Sequence, residues 1–279
     1  MDIFYLNSNG EKVVLNKPPY RMLSETTVFN NEWDYTTKGI NNLSIKKFKK
    51  NMVSKEFSLR IKGENLIDYY KNIDYINELF EKDIINVKSG KLYFGNYYLD
   101  CYIVSSEKEE RYIAKPDNCI TFKIISETGN WTKETLFKFS SANNDSYPTT
   151  GFDYPYDYMI DYQNSLITSQ IINTGYAPAD FEFIIYGPCI NPAFSIEENT
   201  YSFEIELEEN EYLKVIRTES EKTITKHKQN GETENAFYTR STDFNVFETI
   251  PVGELNVAWG GDFDFDINLL ERRSEPKWT

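Results

Sequence analysis

The chain has 279 residues, 40% of them apolar and 16% aromatic, and a formal net charge of −14. That apolar content excludes global disorder, and the length suits two domains of ordinary size. The acidic balance excludes a protein that holds nucleic acid through clustered basic charge, so no sequence-specific nucleic-acid partner is expected.

Tyr and Phe dominate the aromatic content and favour the half-buried surface of a sheet, so the expected class is mainly β. The opening "MDIFYLNSNGEKVVLN" has an early acid and no apolar core of signal-peptide length; export is not expected. It reads as two strands, "DIFYLN" and "EKVVLN", parted by Ser8-Asn9-Gly10, with Pro18-Pro19 after them. Next comes "IKKFKK", a basic segment in an acidic chain. Lysines guard exposed edge strands, and a basic patch also suits an acidic neighbour, including a second copy of the chain. Lys46, Lys47, Lys49 and Lys50 are therefore candidate interface residues. "EFSLRIKG" then alternates apolar and polar residues as a strand does.

One helix is predicted, at about 65–82, in "ENLIDYYKNIDYINELFEK". Leu66, Tyr70, Ile73, Ile76 and Phe80 recur every three or four positions as a core stripe, Asn65 suits the N-cap, and Asp68 suits the first turn. A hairpin follows, "KLYF" and "YYLDCYIV" about Gly95-Asn96, where a glycine first suits a type II′ turn. "NCITFKII" is a further strand. The first domain reads β-β-β-α-β-β-β.

From about Gly129 to Gln170 the periodicity fades into Ser, Asn, Asp, Pro and Tyr, a composition that suits a crossing segment. The expected division is 1–140 as the first domain, 141–170 as the linker and 171–279 as the second domain. Within the crossing, "YPYDYMIDY" offers Tyr154 and Tyr156 as a sugar-stacking platform, although such tyrosines also bury against a neighbouring domain. Beyond it, short strands recur at even spacing: "DFEFIIYG", "YSFEIELE", "EYLKVIR", "KTITKHK", "FYTRST", "NVFETI", "ELNVAW" and "DFDFDINLL". That pattern predicts a β-sandwich or jelly roll. In the first of these strands Phe181, Phe183 and Ile185 should point inward and Glu182, Ile184 and Tyr186 outward, with Gly175 and Gly187 as positive-φ turn glycines. The outward Ile184 and Tyr186 make an unusually apolar face, which marks them as candidate interface residues.

Catalytic chemistry is hard to build from these residues. The one histidine, His227, lies between lysines beside the Asn230-Gly231 turn signal and should be exposed; a catalytic His needs a carboxylate in a shielded pocket. Phosphate-cradling glycine motifs are absent. Cys101, Cys119 and Cys189 lack metal-ligand spacing and read as reduced, buried thiols. Asp262, Asp264 and Asp266 begin like a calcium loop, but Ile267 and Arg273 stand where glycine and glutamate are needed. Strand alternation explains the three aspartates better, with Phe263, Phe265 and Ile267 facing the core. No enzyme activity, cofactor or metal is expected, and no window is apolar for the length a membrane helix needs.

The second half nevertheless carries ordered landmarks. "IINTGYAPADFEFIIYGPCINPAF" precedes "EYLKVIRTESEKTITK", which precedes "NVFETIPVGELNV". In that order they resemble the distal tail proteins of long-tailed bacteriophages, best over Phe152 to Leu270 and more thinly over residues 1 to 130. The resemblance implies a split-barrel-like N-terminal β domain with one helix, and a galectin-like C-terminal sandwich. It implies a hexameric ring at the end of the tail tube, with DNA passing through its lumen. The implied partners are other copies of the chain, the tail tube protein, the tail-tip hub or tail-associated lysin protein, and receptor-binding or baseplate proteins. The implied location is the virion's tail tip, after assembly in the host cytoplasm. A carbohydrate-binding module for host recognition is the alternative.

Overall fold

The computed structural model describes residues 1–38, 44–108, 115–141, 166–167 and 170–278. The chain forms two compact units, Met1–Thr132 with Arg273–Thr279, and Lys133–Arg272. This division differs from the expected 1–140, 141–170 and 171–279. Packing changes at Thr132/Lys133, close to the change in composition near Gly129, and a continuous strand, Trp131–Phe139, spans that point. The final residues return to the first unit, and most of the expected linker lies outside the described residues.

The strands of the first unit are β1 (Ile3–Leu6), β2 (Lys12–Val14), β3 (Asn16–Lys17), β4 (Tyr20–Thr26), β5 (Asp34–Lys38), β6 (Ser44–Lys49) and β7 (Val53–Lys62). After the helix α1 (Leu66–Asn86) come β8 (Gly90–Phe94), β9 (Tyr97–Lys108), β10 (Asp117–Ser126) and the start of β11 (Trp131–Phe139). β9 belongs to two sheets. Its first residues pair with β8 and β11, through Leu92↔Leu99 and Trp131↔Leu99. Its later residues pair with β10, through Phe122↔Ser106, after a register shift at Lys123/Ile124. One sheet therefore runs β2–β1–β8–β9–β11 and the other β9–β10–β7–β4–β3, the bulge bending β9 from one to the other. Phe57, Leu59 and Ile61 alternate inward along β7, each fully buried, as the period-two pattern requires. Gly95 takes φ 59° as first residue of the β8–β9 turn, which fits the type II′ hairpin.

Helix α1 starts where the sequence places it: Asn65 accepts a hydrogen bond from the Asp68 N–H at 3.0 Å. It runs one turn past residue 82, to a left-handed cap at Val87. The inward face differs from the expected stripe. Tyr69, Ile73, Ile76, Leu79 and Phe80 are buried, whereas Leu66 and Tyr70 are exposed. Asp83 fixes this rotation. Its buried carboxyl accepts from the Tyr5 hydroxyl at 2.6 Å and from the Ser8 N–H at 2.7 Å. A Cβ on Gly90 would lie 2.2 Å from that hydroxyl, so only glycine fits there. Burial pushes the Tyr5 phenol far above its ordinary pKa and keeps it a donor.

In the second unit β11 continues, followed by β12 (Leu166–Ile167), β13 (Gln170–Asn173), β14 (Asp180–Tyr186), β15 (Cys189–Ile190), β16 (Ala193–Ile196), β17 (Asn199–Ser202) and β18 (Glu206–Leu207). Then come β19 (Tyr212–Arg217), β20 (Lys222–His227), β21 (Thr233–Asn235), β22 (Gly253–Trp259) and β23 (Phe265–Arg273). One sheet is ordered β21–β20–β19–β14–β23–β11 and a second β13–β22–β16–β17. Phe181, Phe183, Phe194, Phe203 and Phe265 fill the core of this sandwich, each contributing about 1.5–3 kcal/mol by burial. Two expected strands are not strands. "FYTRST" contains a 3-10 turn, Phe237–Thr239, and "NVFETI" contributes a single bridge, Ala179↔Ile250. The Asn230-Gly231 signal marks a longer loop: Gly231 N–H bonds to Lys228 O and Lys228 N–H to Glu232 O, with Gly231 alone at positive φ. Gly175 and Gly187 are not positive-φ residues. Gly187 is needed for close approach, since a Cβ there would lie 2.1 Å from Glu208 O.

Tyr5→Phe should destabilise the chain by about 1.5–3 kcal/mol, because it strips a donor from a buried carboxyl. Asn65→Ala should cost about 1 kcal/mol. Urea unfolding measures both, and a smaller loss for Tyr5→Phe than for Asn65→Ala contradicts the role given to Asp83.

Candidate interaction surfaces

The lysine segment forms β6, which among the described residues pairs with β5 alone. The register sets Tyr35 opposite Phe48, Thr37 opposite Ile45, and Thr36 opposite Lys47. One face of the hairpin thus carries Tyr35, Ile45 and Phe48, and the other carries Lys47 and Lys49, with Lys46 in the bulge between Thr36 and Thr37. Tyr35 is 62% exposed, Phe48 55% and Ile45 53%. An apolar face in water is the unusual feature here; exposed lysines are ordinary.

Lys46, Lys47 and Lys49 are exposed as expected, but Lys50 is not part of the same surface. Its Nζ is shielded, has no hydrogen-bond acceptor, and sits 5.1 Å over the Trp33 ring. Burial lowers its pKa, and the Glu275 carboxylate opposes that shift. Beside it Lys55 is buried, donates to Val28 O at 2.8 Å, and is brought down to about 8, by burial first and then by Lys50. Lys50 thus sits in a different environment from Lys46, Lys47 and Lys49.

The α1 surface opposite its buried stripe mixes apolar and acidic side chains. Ile67 is 70% exposed and Ile85 74%. Helical spacing puts both on one line with Asp74, Glu78 and Glu81, all exposed. Sequence reading missed this face and the aromatic side of β5. The alternation Trp33, Tyr35, Thr37 was the available signal for the latter.

In the second unit Ile184 and Tyr186 point away from the core as expected and are half-buried. Ile184 lies between Lys214 and Asp266 on the neighbouring strands. The Tyr186 hydroxyl donates to Asp266 Oδ2 at 2.9 Å, and Lys214 pairs with Glu182 at 3.0 Å. The strand reading of "DFDFDI" holds for Phe265 and Ile267, both buried, whereas Phe263 is buried but precedes β23. The aspartates do not all stand in solvent. Asp264 accepts from the Ser141 N–H at 2.6 Å, and burial raises Asp266 to about 6 against the pull of Lys138 and Tyr186. His227 is half-buried, stacked on Tyr212 at 4.3 Å, and its pKa is lowered by burial and Lys214. No carboxylate orients it as a base in any described contact.

Among the described residues no group of three His, Cys, Asp or Glu is placed to hold a metal. The cysteines are free thiols, and burial pushes Cys189 up to about 11. A cleft of about 600 Å³ in the first unit is lined by Ile3, Arg21, Met22, Phe29, Arg60 and Trp278 among others. Arg60 is already committed to Asp117, with bonds of 2.7 and 2.6 Å. Tyr154 and Tyr156 lie outside the described residues. No helix among the described residues is long and apolar enough to cross a membrane.

No protein-family model matches the chain, and no curated protein matches it. Solved structures do. A chain of the phage P2 baseplate in its activated conformation with Ca is 12% identical, with 99% of each chain covered and a TM-score of 0.59. The phage p2 baseplate with Sr gives 13% identity, 99% of each chain and 0.59. The SPP1 Dit protein, described as a paradigm of the hub adsorption apparatus of phages infecting Gram-positive hosts, gives 8%, 97% of this chain, 99% of that chain and 0.54. The chain therefore has this fold from end to end, as the resemblance in sequence led one to expect.

Because burial holds the Asp266 proton from pH 3.8 up to about 6, the group's contribution to stability is full below about pH 4 and is lost as pH rises through about 6. Asp266→Asn should therefore gain stability relative to the wild type between pH 4 and pH 7. Thermal melts across that range test this; a constant difference at every pH contradicts it.

Proposed function

We propose that this chain is a structural, non-enzymatic virion protein. Six copies close into a ring at the distal end of a phage tail, joining the tail tube to the tail-tip hub and its host-attachment proteins. The observation that carries this reading is the end-to-end likeness to phage P2 baseplate chains and to SPP1 Dit, with 97–99% of this chain covered. Neither likeness is confined to one unit, so the combination of a helix-bearing β unit with a β-sandwich is matched, and not merely one common fold.

The chemistry supports the same reading. The described residues offer extended faces instead of a shielded reactive centre: an aromatic and lysine-bearing hairpin, an acidic helix surface, and the Ile184/Tyr186 sheet face. A protein that works by assembly needs such faces. On this reading the acidic chain lets DNA pass through the lumen without adhering, since like charges repel. The first unit builds the ring, and the sandwich presents Ile184 and Tyr186 to neighbouring tail proteins. Assembly takes place in the host cytoplasm, and the finished protein resides at the tail tip.

Electron microscopy of the purified protein, alone and mixed with the tail-tube and hub proteins of its own phage, tests the reading. Closed particles with six-fold symmetry are expected. Monomers in every mixture would overturn it.

A further inference from the structure

The cleft of the first unit has a polar end and an apolar end, and β4 contributes to both. Against β7 the register of β4 breaks: Leu23, Ser24 and Glu25 stand opposite the single residue Ser58, between the pairs Met22↔Leu59 and Thr26↔Phe57. A bulge of that size re-aims consecutive side chains, and Met22, Leu23, Ser24 and Thr26 all line the cleft. On its other side β4 pairs with β3 only at Tyr20 and Arg21. Among the described residues no strand therefore lies along the edge from Leu23 to Thr26. The apolar end is an open corner of the core. Ile3, Met22 and Phe29 pack against the core without being enclosed by it. Trp278 meets Phe29 edge to face at 4.9 Å and is still 56% exposed. At the polar end Arg21 lies opposite Arg60. Asp117 neutralises Arg60 at 2.6 Å, but no described contact gives the exposed Arg21 guanidinium a carboxylate. That is unusual in a chain with 44 acids and 30 bases.

We infer that this cleft takes a short extended segment of a partner protein. The segment adds as a strand to the β4 edge at Leu23–Thr26, seats one apolar side chain between Met22, Phe29 and Trp278, and sets a carboxylate on Arg21. Three different demands meet here, and one class of ligand satisfies all of them. A strand edge presents main-chain N–H and C=O groups in series, which another extended chain matches. A free anion would satisfy Arg21 and leave the apolar wall wet. An apolar small molecule would cover the wall and leave the edge unpaired. The cleft's volume of about 600 Å³ is that of an ordinary ligand site, and four residues of edge span about 13 Å, so the occupant is a short strand. The bulge also works against the wrong occupant. It interrupts the edge before a long flat strand can pair along it, which guards against aggregation. Main-chain pairing and the apolar side chain supply the affinity, and Arg21 supplies the preference for an acid. The inference goes beyond the ring reading above and does not depend on how many copies assemble.

The probes are end-blocked hexapeptides of alternating Val and Thr, each with one Glu at a different position, and the same set with Lys in place of Glu. Calorimetric titration and hydrogen exchange read them against the full chain and against two variants, Arg21→Glu and Trp278→Ala. At least one Glu peptide should bind, should slow exchange of the Leu23–Thr26 amides, and should lose binding when its backbone is N-methylated at alternate residues. Arg21→Glu should weaken that peptide at least about tenfold and should prefer its Lys counterpart, a reversal that only a folded variant can show. Trp278→Ala should weaken both peptides alike. Equal binding of Glu and Lys peptides by the wild type overturns the inference, and so does full binding of the N-methylated peptide. Inorganic phosphate that binds the wild type but not Arg21→Glu, where no peptide binds, reassigns the cleft to a free anion. A wild type that protects the same amides by self-association, undisplaced by any peptide, gives the edge to a second copy instead. None of these outcomes bears on the ring reading, which stands or falls on particle symmetry.

Discussion

The buried carboxyl of Asp83 decides what the first unit shows to the outside. With the Tyr5 hydroxyl and the Ser8 N–H both aimed at it, α1 cannot rotate on the sheets without stripping a buried polar group of its partners, which costs more than any single surface contact returns. Gly90 leaves the space that this arrangement fills. Once the rotation is fixed, Tyr69, Ile73, Ile76 and Phe80 must face inward. Ile67, Glu78, Glu81 and Ile85 must then face outward. The exposed line of α1 is thus a consequence of an interaction in the core.

The same constraint explains why the helix was easier to find than to orient. Its start was legible because Asn65 and Asp68 carry capping chemistry, and its length because no glycine or proline interrupts it. Its inward face was misjudged at Leu66 and Tyr70 because apolar residues lie on both sides of the helix. A helix buried on one side and apolar again on the other loses the contrast on which periodicity depends. β14 was read correctly, since Phe181, Phe183 and Ile185 alternate with residues of intermediate burial. The hairpin was read by its lysines. Its aromatic partner face, begun by Trp33 and Tyr35, lies on the other strand and becomes visible only through the register. Half-burial of Asp266 and His227 was not legible either, because it comes from neighbours on adjacent strands, Tyr186 and Tyr212.

The two units divide the work by composition. In the second, aromatic side chains fill the core of a sandwich, and polar residues on its outer sheet face pair with one another through Tyr186–Asp266 and Lys214–Glu182. Ile184 and Tyr186 stand among these pairs, half-buried. In the first unit the hairpin and the outer line of α1 are unsatisfied in complementary senses, one basic and apolar, the other acidic and apolar.

Hydrogen exchange of the β5–β6 amides, compared between dilute monomer and assembled protein, tests this account most directly. Assembly should slow exchange across Asp34–Lys38 and Ser44–Lys49 to the level of β7, and should slow the exposed side of α1 least, since its amides are already bonded within the helix. Hairpin amides that exchange at loop rates in the assembled protein would contradict the account.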